Sequence, residues 1–282
     1  MLNSQYSLSA EISRQQALEA QIAQLQTDIS SGIKVHVASD DPQAAARIAQ
    51  IGRQQTDENT YATNVKQALA TSALVDSNLD SVQTALVQAK TAMLQGSNGS
   101  ANASDRQALI TELQGIRKSL QTLANQTDSS GNPLYVQNGQ PPLIPIGKGS
   151  NVAAADSYTS VFGSVTLKSG STTDIDTILS NAISALQSGN AAQMSTSLDD
   201  LDSATSHITD AQADIGVREN QLNNASDALA NSATNLASER SGLEDTDATQ
   251  AYATMSSKMT ILSAAQAVLT TIGKNSLFDK IS

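Results

Sequence analysis

The sequence predicts a mainly α protein, an elongated helical hairpin or coiled-coil bundle formed by both chain halves, with a small β-rich insert at its tip. Three observations predict it. Large aliphatic residues recur at alternating steps of three and four through both halves of the 282 residues, the signature of helix seams. Aromatics number only 5 Tyr and 2 Phe, with no Trp, although 39% of residues are hydrophobic. That palette of Ala, Leu, Ile and Val suits slender seams, because a thick core draws much of its buried area from aromatics. Every proline except Pro42 falls in one glycine-rich stretch between about 128 and 172, which isolates a single irregular segment.

Taken in order, Leu8, Ile12, Leu18, Ile22, Leu25, Ile29 and Ile33 form the first stripe, and Ser30-Ser31-Gly32 marks its end. In Ser39-Asp40-Asp41-Pro42 the proline presets a first helical turn and Asp41 is placed to cap free amides, so a second helix is expected from about Pro42. Its seam runs through Ile48, Ile51, Val65, Ala68, Ser72, Val75, Leu79, Val82, Leu86, Ala89 and Met93. At about 1.5 Å per residue this helix would span roughly 80 Å. Gly96 to Ser100 stops it, and Ser104-Asp105-Arg106-Gln107 reads as a capping box opening a third helix with Leu109, Leu113, Ile116, Leu120 and Leu123 inside.

The insert carries β-type runs at Leu143 to Ile146 and Val161 to Leu167. Helix resumes at Thr173-Asp174, with Ile175, Ile178, Leu179, Ile183 and Leu186, and turns at Ser188-Gly189-Asn190. Leu201, Ile208, Ile215, Leu222, Leu229, Leu236 and Leu243 then stand one heptad apart, with Ala204, Ala211 and Ala225 between them, which favours a close, narrow pairing. A last stripe of Met255, Met259, Leu262, Ala265, Leu269 and Ile272 follows the acidic patch Glu244 to Asp247, and the chain closes on Leu277 and Phe278. The organisation expected is a terminal assembly domain of 1–41 with 244–282, a long-helix rod of 42–130 with 173–243, and a β-rich insert of 131–172.

Lys and Arg total 16 against 27 Asp and Glu, a net charge of −11, and the cations are scattered. Neither nucleic acid nor an anionic membrane surface suits such a chain as a partner, and without an 18-residue apolar run no membrane insertion is expected. Cysteine is absent, which removes thiol chemistry and thiolate metal sites. Met1 to Gln15 lacks a basic stretch followed by an apolar one, so export would use a route that reads no cleavable signal.

Chemistry has little to work with. His36 and His207 are the two histidines and lack metal-ligand spacing. Phosphate-binding glycine loops are missing. With Pro42 adjacent, Asp40 and Asp41 read as a cap rather than an acid–base pair, and Glu244-Asp245-Asp247 lacks calcium-loop spacing. No catalytic residue, cofactor or metal is therefore expected. The terminal stripes point elsewhere: segments of 30 to 40 residues at each end have little else to cover them, isolated pairs of that kind are marginal in water, and neighbouring subunits are the natural cover.

Several segments resemble the flagellin superfamily. Ser31-Gly32-Ile33-Lys34 followed by Ala38-Ser39-Asp40-Asp41-Pro42-Gln43-Ala44-Ala45 is similar to its N-terminal motif, with Ala38 where proline is usual. Gln114-Gly115-Ile116-Arg117 with Leu123-Ala124-Asn125 and Thr127-Asp128 resembles its third helix. Leu243 to Ala248 resembles the segment opening its last helix. The Asp-Asp-Pro form and the ending Ser276-Leu277-Phe278-Asp279 lean towards the hook-associated branch that joins hook to filament. The likeness covers roughly 1–130 and 174–282.

What the resemblance implies is a non-enzymatic structural subunit of the extracellular bacterial flagellum. It would be exported unfolded by the flagellar type III route and would assemble as a ring of copies of itself between a neighbouring hook-associated protein and flagellin, with an export chaperone on its C-terminal helix. Its ends would order when neighbours supply matching stripes. Two other readings stay open at this point: a small filament flagellin, and a secreted adhesin or ligand-binding module that uses residues 133–172.

Overall fold

The computed structural model describes residues 2–98, 102–153 and 155–278. The described residues form six α-helices: α1 (Leu2–Ser31), α2 (Pro42–Gly96), α3 (Ala103–Ala124), α4 (Ile175–Ser188), α5 (Ala191–Glu244) and α6 (Ala248–Phe278). Between α3 and α4 lie the short strands β1 (Tyr135–Val136), β2 (Leu143–Gly147), β3 (Ser150–Ala153), β4 (Asp156–Ser157), β5 (Val165–Thr166) and β6 (Thr172–Thr173). Two compact units result, a central one of Asp57–Ser232 and a terminal one of Met1–Thr56 with Ala233–Ser282.

In the central unit the seam positions of α2 and α5 are buried: Val75, Leu79, Val82, Leu86 and Met93 join Leu201, Ala204, Ile208 and Ile215 in one apolar cluster. The inner faces of α3 and α4 complete it with Leu113, Ile116, Leu120, Ile175, Ile178, Leu179 and Leu186. Helix α4 is entered through Asp174, whose carboxylate accepts from the Thr177 amide at 2.7 Å, and is left through Gly189 at φ +66°. Asn190 then opens α5 by accepting from the Ala192 amide.

Helix α3 starts earlier than its sequence motif suggests. Its cap is Asn102, which accepts from the Ser104 and Asp105 amides at 2.8 and 2.9 Å while the Asp105 carboxylate accepts from the Asn102 amide. The reciprocal box is therefore Asn102/Asp105, because Asp105 reaches back across the first turn and displaces Ser104 and Gln107 from that role.

The insert is three separate two-stranded pieces: β2 with β3 and β5 with β6 antiparallel, β1 with β4 parallel. The run Val161 to Leu167 departs from the expected strand. Thr159–Gly163 forms a π-helical turn and only Val165 and Thr166 are extended. The turn places the Phe162 ring edge-on to buried Tyr135, centroids 4.9 Å apart, and beside Tyr158 at 5.4 Å. Burying Tyr135 and Phe162, with half-buried Tyr158 packed against them, decides the backbone there. Tyr135 also donates its hydroxyl to Asn78 Oδ1 at 2.6 Å, and Asn78 Nδ2 donates to the Leu123 carbonyl and to Gln126 Oε1. This tyrosine, closed off from water and facing Asp156, is held well above its ordinary pKa by desolvation first and by that charge second.

Candidate assembly interface

In the terminal unit α1 packs along α6. The two run antiparallel: the Thr246 amide donates to the Gly32 carbonyl at 2.9 Å, and far along both helices Lys258 Nζ donates to Gln21 Oε1 at 2.7 Å. The helices meet along the expected stripe, with Ile22 buried and Leu18, Leu25, Ile29, Ile33, Met255, Leu262 and Leu269 half-buried. Ile12 and Met259 each keep 41% of their surface open. The side chains of Leu8, Ile272, Leu277 and Phe278 lie outside the described residues.

Sequence reading missed a second ridge. Ile261 and Val268 stand 54% and 57% exposed on α6, one heptad apart and one residue before the half-covered pair Leu262 and Leu269. One residue is about 100° around a helix, so the two ridges run side by side and α1 covers only one. Tyr252 and Met259, again seven apart, are exposed too, at 63% and 41%. The signal was present as a second seven-residue spacing but was masked by the stronger stripe beside it. A helix apolar over so much of its circumference is suited to burial on several sides.

Where α1 passes into α2, Asp40 Oδ2 accepts from the His36 and Val37 amides at 2.9 and 3.0 Å. Those bonds, Val37 first, hold the Asp40 carboxyl below its ordinary range. Ser39 is exposed in the same turn. Asp41 Oδ1 accepts from the Gln43 and Ala44 amides, Pro42 is the first residue of α2, and Asp247 caps α6 in the same manner through the Thr249 and Gln250 amides. An ion pair of Arg47 with Glu239, at 2.5 and 2.8 Å, ties the start of α2 to the end of α5. His36 Nε2 lies 3.0 Å from Asp28 Oδ1, and His207 Nε2 lies 2.9 Å from the Ser160 carbonyl. Among the described residues no three His, Cys, Asp or Glu side chains are gathered to hold a metal, and no helix is long and apolar enough to cross a membrane.

Residues 2–139 match the bacterial flagellin N-terminal helical region, and residues 198–278 match the bacterial flagellin C-terminal helical region. Over 225 residues the chain is 30% identical to flagellar hook-associated protein 3 of Escherichia coli K12, a match spanning 76% of this chain and 70% of that protein. The chain belongs to the flagellin superfamily. It is also 32% identical over 117 residues to flagellar hook-associated protein 3 of Salmonella typhimurium, a stretch spanning 42% of this chain and 37% of that relative. The flagellin-type fold is shared with the crystal structure of the flagellar junction protein FlgL from Legionella pneumophila, at a TM-score of 0.57 and 18% identity, covering 71% of this chain and all of that one. Both matched superfamily regions include the terminal helices whose apolar ridges are left open.

Proposed function

We propose that the chain is a structural junction subunit of the bacterial flagellum that links hook to filament by helical self-assembly of its two ends. The observation that carries this reading is the half-covered pair α1 and α6: Ile12, Met259, Ile261 and Val268 remain 41% to 57% open when all that one chain offers has been packed. Large apolar side chains left open together along one helix pair suit burial by partners. The junction role is favoured over a small filament flagellin by the name of the Escherichia coli relative, flagellar hook-associated protein 3, whose match spans 76% of this chain. In this reading Leu18, Ile22, Leu25 and Ile29 with Leu262, Leu269 and Ile272 build the inner layer. Ile261 and Val268 extend it, and Leu8, Ile12, Ile33, Met255, Met259, Leu277 and Phe278 contribute at its margins.

The partners are copies of this chain in a ring, a hook-associated protein on one side and flagellin on the other. The subunit acts outside the cell, catalyses no reaction, and is escorted before export by a chaperone that covers α6. Deleting the gene tests the role. Cells that keep hooks, lose filaments and release flagellin into the medium support a junction subunit; loss of the major filament protein itself overturns it in favour of a flagellin.

A further inference from the structure

The two ridges that meet between α1 and α6 do not by themselves specify how the helices align. Leu18 with Leu25, and Ile22 with Ile29, repeat at seven residues, as do Met255, Leu262 and Leu269 on the other side. A slip of one heptad, about 10 Å, therefore sets large aliphatics against large aliphatics again. Lys258 to Gln21 is an exposed contact and discriminates weakly. Something else must choose the register.

The two chain crossovers sit against each other at the head of the pair. Ile33 and Asp245 form an isolated antiparallel bridge, flanked by the Thr246 amide donating to the Gly32 carbonyl at 2.9 Å and the Lys34 amide donating to the Glu244 carbonyl at 2.8 Å. Gly32, at φ +74°, turns the chain out of α1 into this bridge, a conformation that side-chain-bearing residues rarely adopt. Lys34 Nζ also donates to the Gly242 carbonyl in the last turn of α5, at 3.2 Å, where a cation is favoured by the helix dipole. Asp28 at the end of α1 holds His36, and Arg240 holds Glu244. From this bridge to the Gln21–Lys258 contact the chain runs back 12 residues and forward 13, one continuous antiparallel register.

We infer that this bridged crossover is a register clamp: it fixes α1 against α6 in one of several heptad alignments, so that every subunit presents the same pattern of open ridges to its neighbours. Two directed backbone hydrogen bonds have no equivalent partners after a seven-residue slip, whereas the apolar seam does. The inference rests on the assembly reading above and adds to it the element that makes the assembling surface unique.

The absence of cysteine makes engineered pairs clean reporters. In the full chain, both dilute and assembled, Gln21→Cys with Lys258→Cys reads the native register and Arg14→Cys with Lys258→Cys reads a one-heptad slip. With the crossover intact the native pair should crosslink over the slipped pair by about tenfold or more. Lys34→Pro combined with Thr246→Pro removes both donating amides and should lower that ratio about tenfold. Lys34→Met, which keeps both amides and loses only the ammonium, should hold it within about twofold. Loss of both crosslinks in the double-proline chain, with the main unfolding midpoint retained, also supports the clamp. An unchanged ratio in the double-proline chain overturns the clamp and leaves the junction role standing. Absence of the native crosslink in the unmodified crossover overturns it as well. A chain that crosslinks in register yet never joins hook to filament sinks the junction role alone.

Discussion

Replacing Ile261 with Ser separates a surface waiting for a neighbour from one that is merely apolar. Full burial of such a side chain contributes about 1.5–3 kcal/mol, so covering the 54% left open contributes about 1–1.5 kcal/mol per subunit. A serine hydroxyl trapped in the same interface without a partner costs about 1–3 kcal/mol more. Together the loss is about 2–4 kcal/mol, which raises the concentration needed for assembly roughly 30-fold to several-hundred-fold. In the lone chain the side chain faces water and Ile and Ser have similar helix propensities, so monomer stability should move by less than about 0.5 kcal/mol. Val217→Ser on α5 is the control, since that valine is 68% exposed but lies in the central unit, and it should alter neither quantity. Sedimentation of assembled against free protein over a concentration series, with urea unfolding of the dilute chain, measures both. An unchanged assembly threshold for Ile261→Ser refutes the reasoning, as does a monomer weakened by more than about 1 kcal/mol.

Tyr135→Phe should cost about 1–3 kcal/mol in urea unfolding, because Asn78 Oδ1 loses its donor in a site closed to water. Asp41→Ala should lower thermal stability by about 1 kcal/mol through the two α2 amides it strands, read by the helical signal in circular dichroism. Asp176 is held below its ordinary pKa of 3.8, first by the Arg117 hydrogen bonds and also by Gln121. With the folded value depressed, its contribution is present above about pH 4 and lost as pH falls through the folded value. The urea midpoint should therefore fall less steeply below about pH 4 in Arg117→Met than in the unaltered chain.

Much of the helical scaffold was legible because its causes are local. Pro42 and Asp41 announced the start of α2, Gly189 at positive φ and Asn190 announced the break between α4 and α5, and the heptad Leu201, Ile208, Ile215 and Leu222 is buried as its spacing implied. The expected ends at Ser30-Ser31-Gly32 and at the Ser188-Gly189-Asn190 turn contain the observed last residues of α1, Ser31, and of α4, Ser188, for the same reason. What escaped depends on distant partners. The π-helical turn at Thr159–Gly163 follows from the meeting of Phe162 with Tyr135 and Tyr158, and the Asn78 network joins α2 to the segment after α3 across 57 residues of sequence. The Asn102 cap was hidden because Ser104 offered a competing motif two residues later.

In the α1–α6 pair, the covered ridge of Leu18, Ile22, Leu25 and Ile29 was legible from its spacing, whereas the open residues Ile261 and Val268 were not. Periodicity reports which residues share a face, but not which face a partner helix leaves uncovered. The crossover bridge was likewise invisible, since it rests on backbone groups that carry no residue signature.

Hydrogen exchange on α1 and α6, compared between the dilute chain and the assembled polymer, tests most directly whether these helices depend on neighbours for their cover. Amides of residues 9–31 and 248–271 should exchange far faster than those of the buried α5 seam when the chain is alone, and should approach that protection on assembly. Terminal amides already as slow as those around Ile208 and Ile215 in dilute solution, and no slower after assembly, would contradict the account.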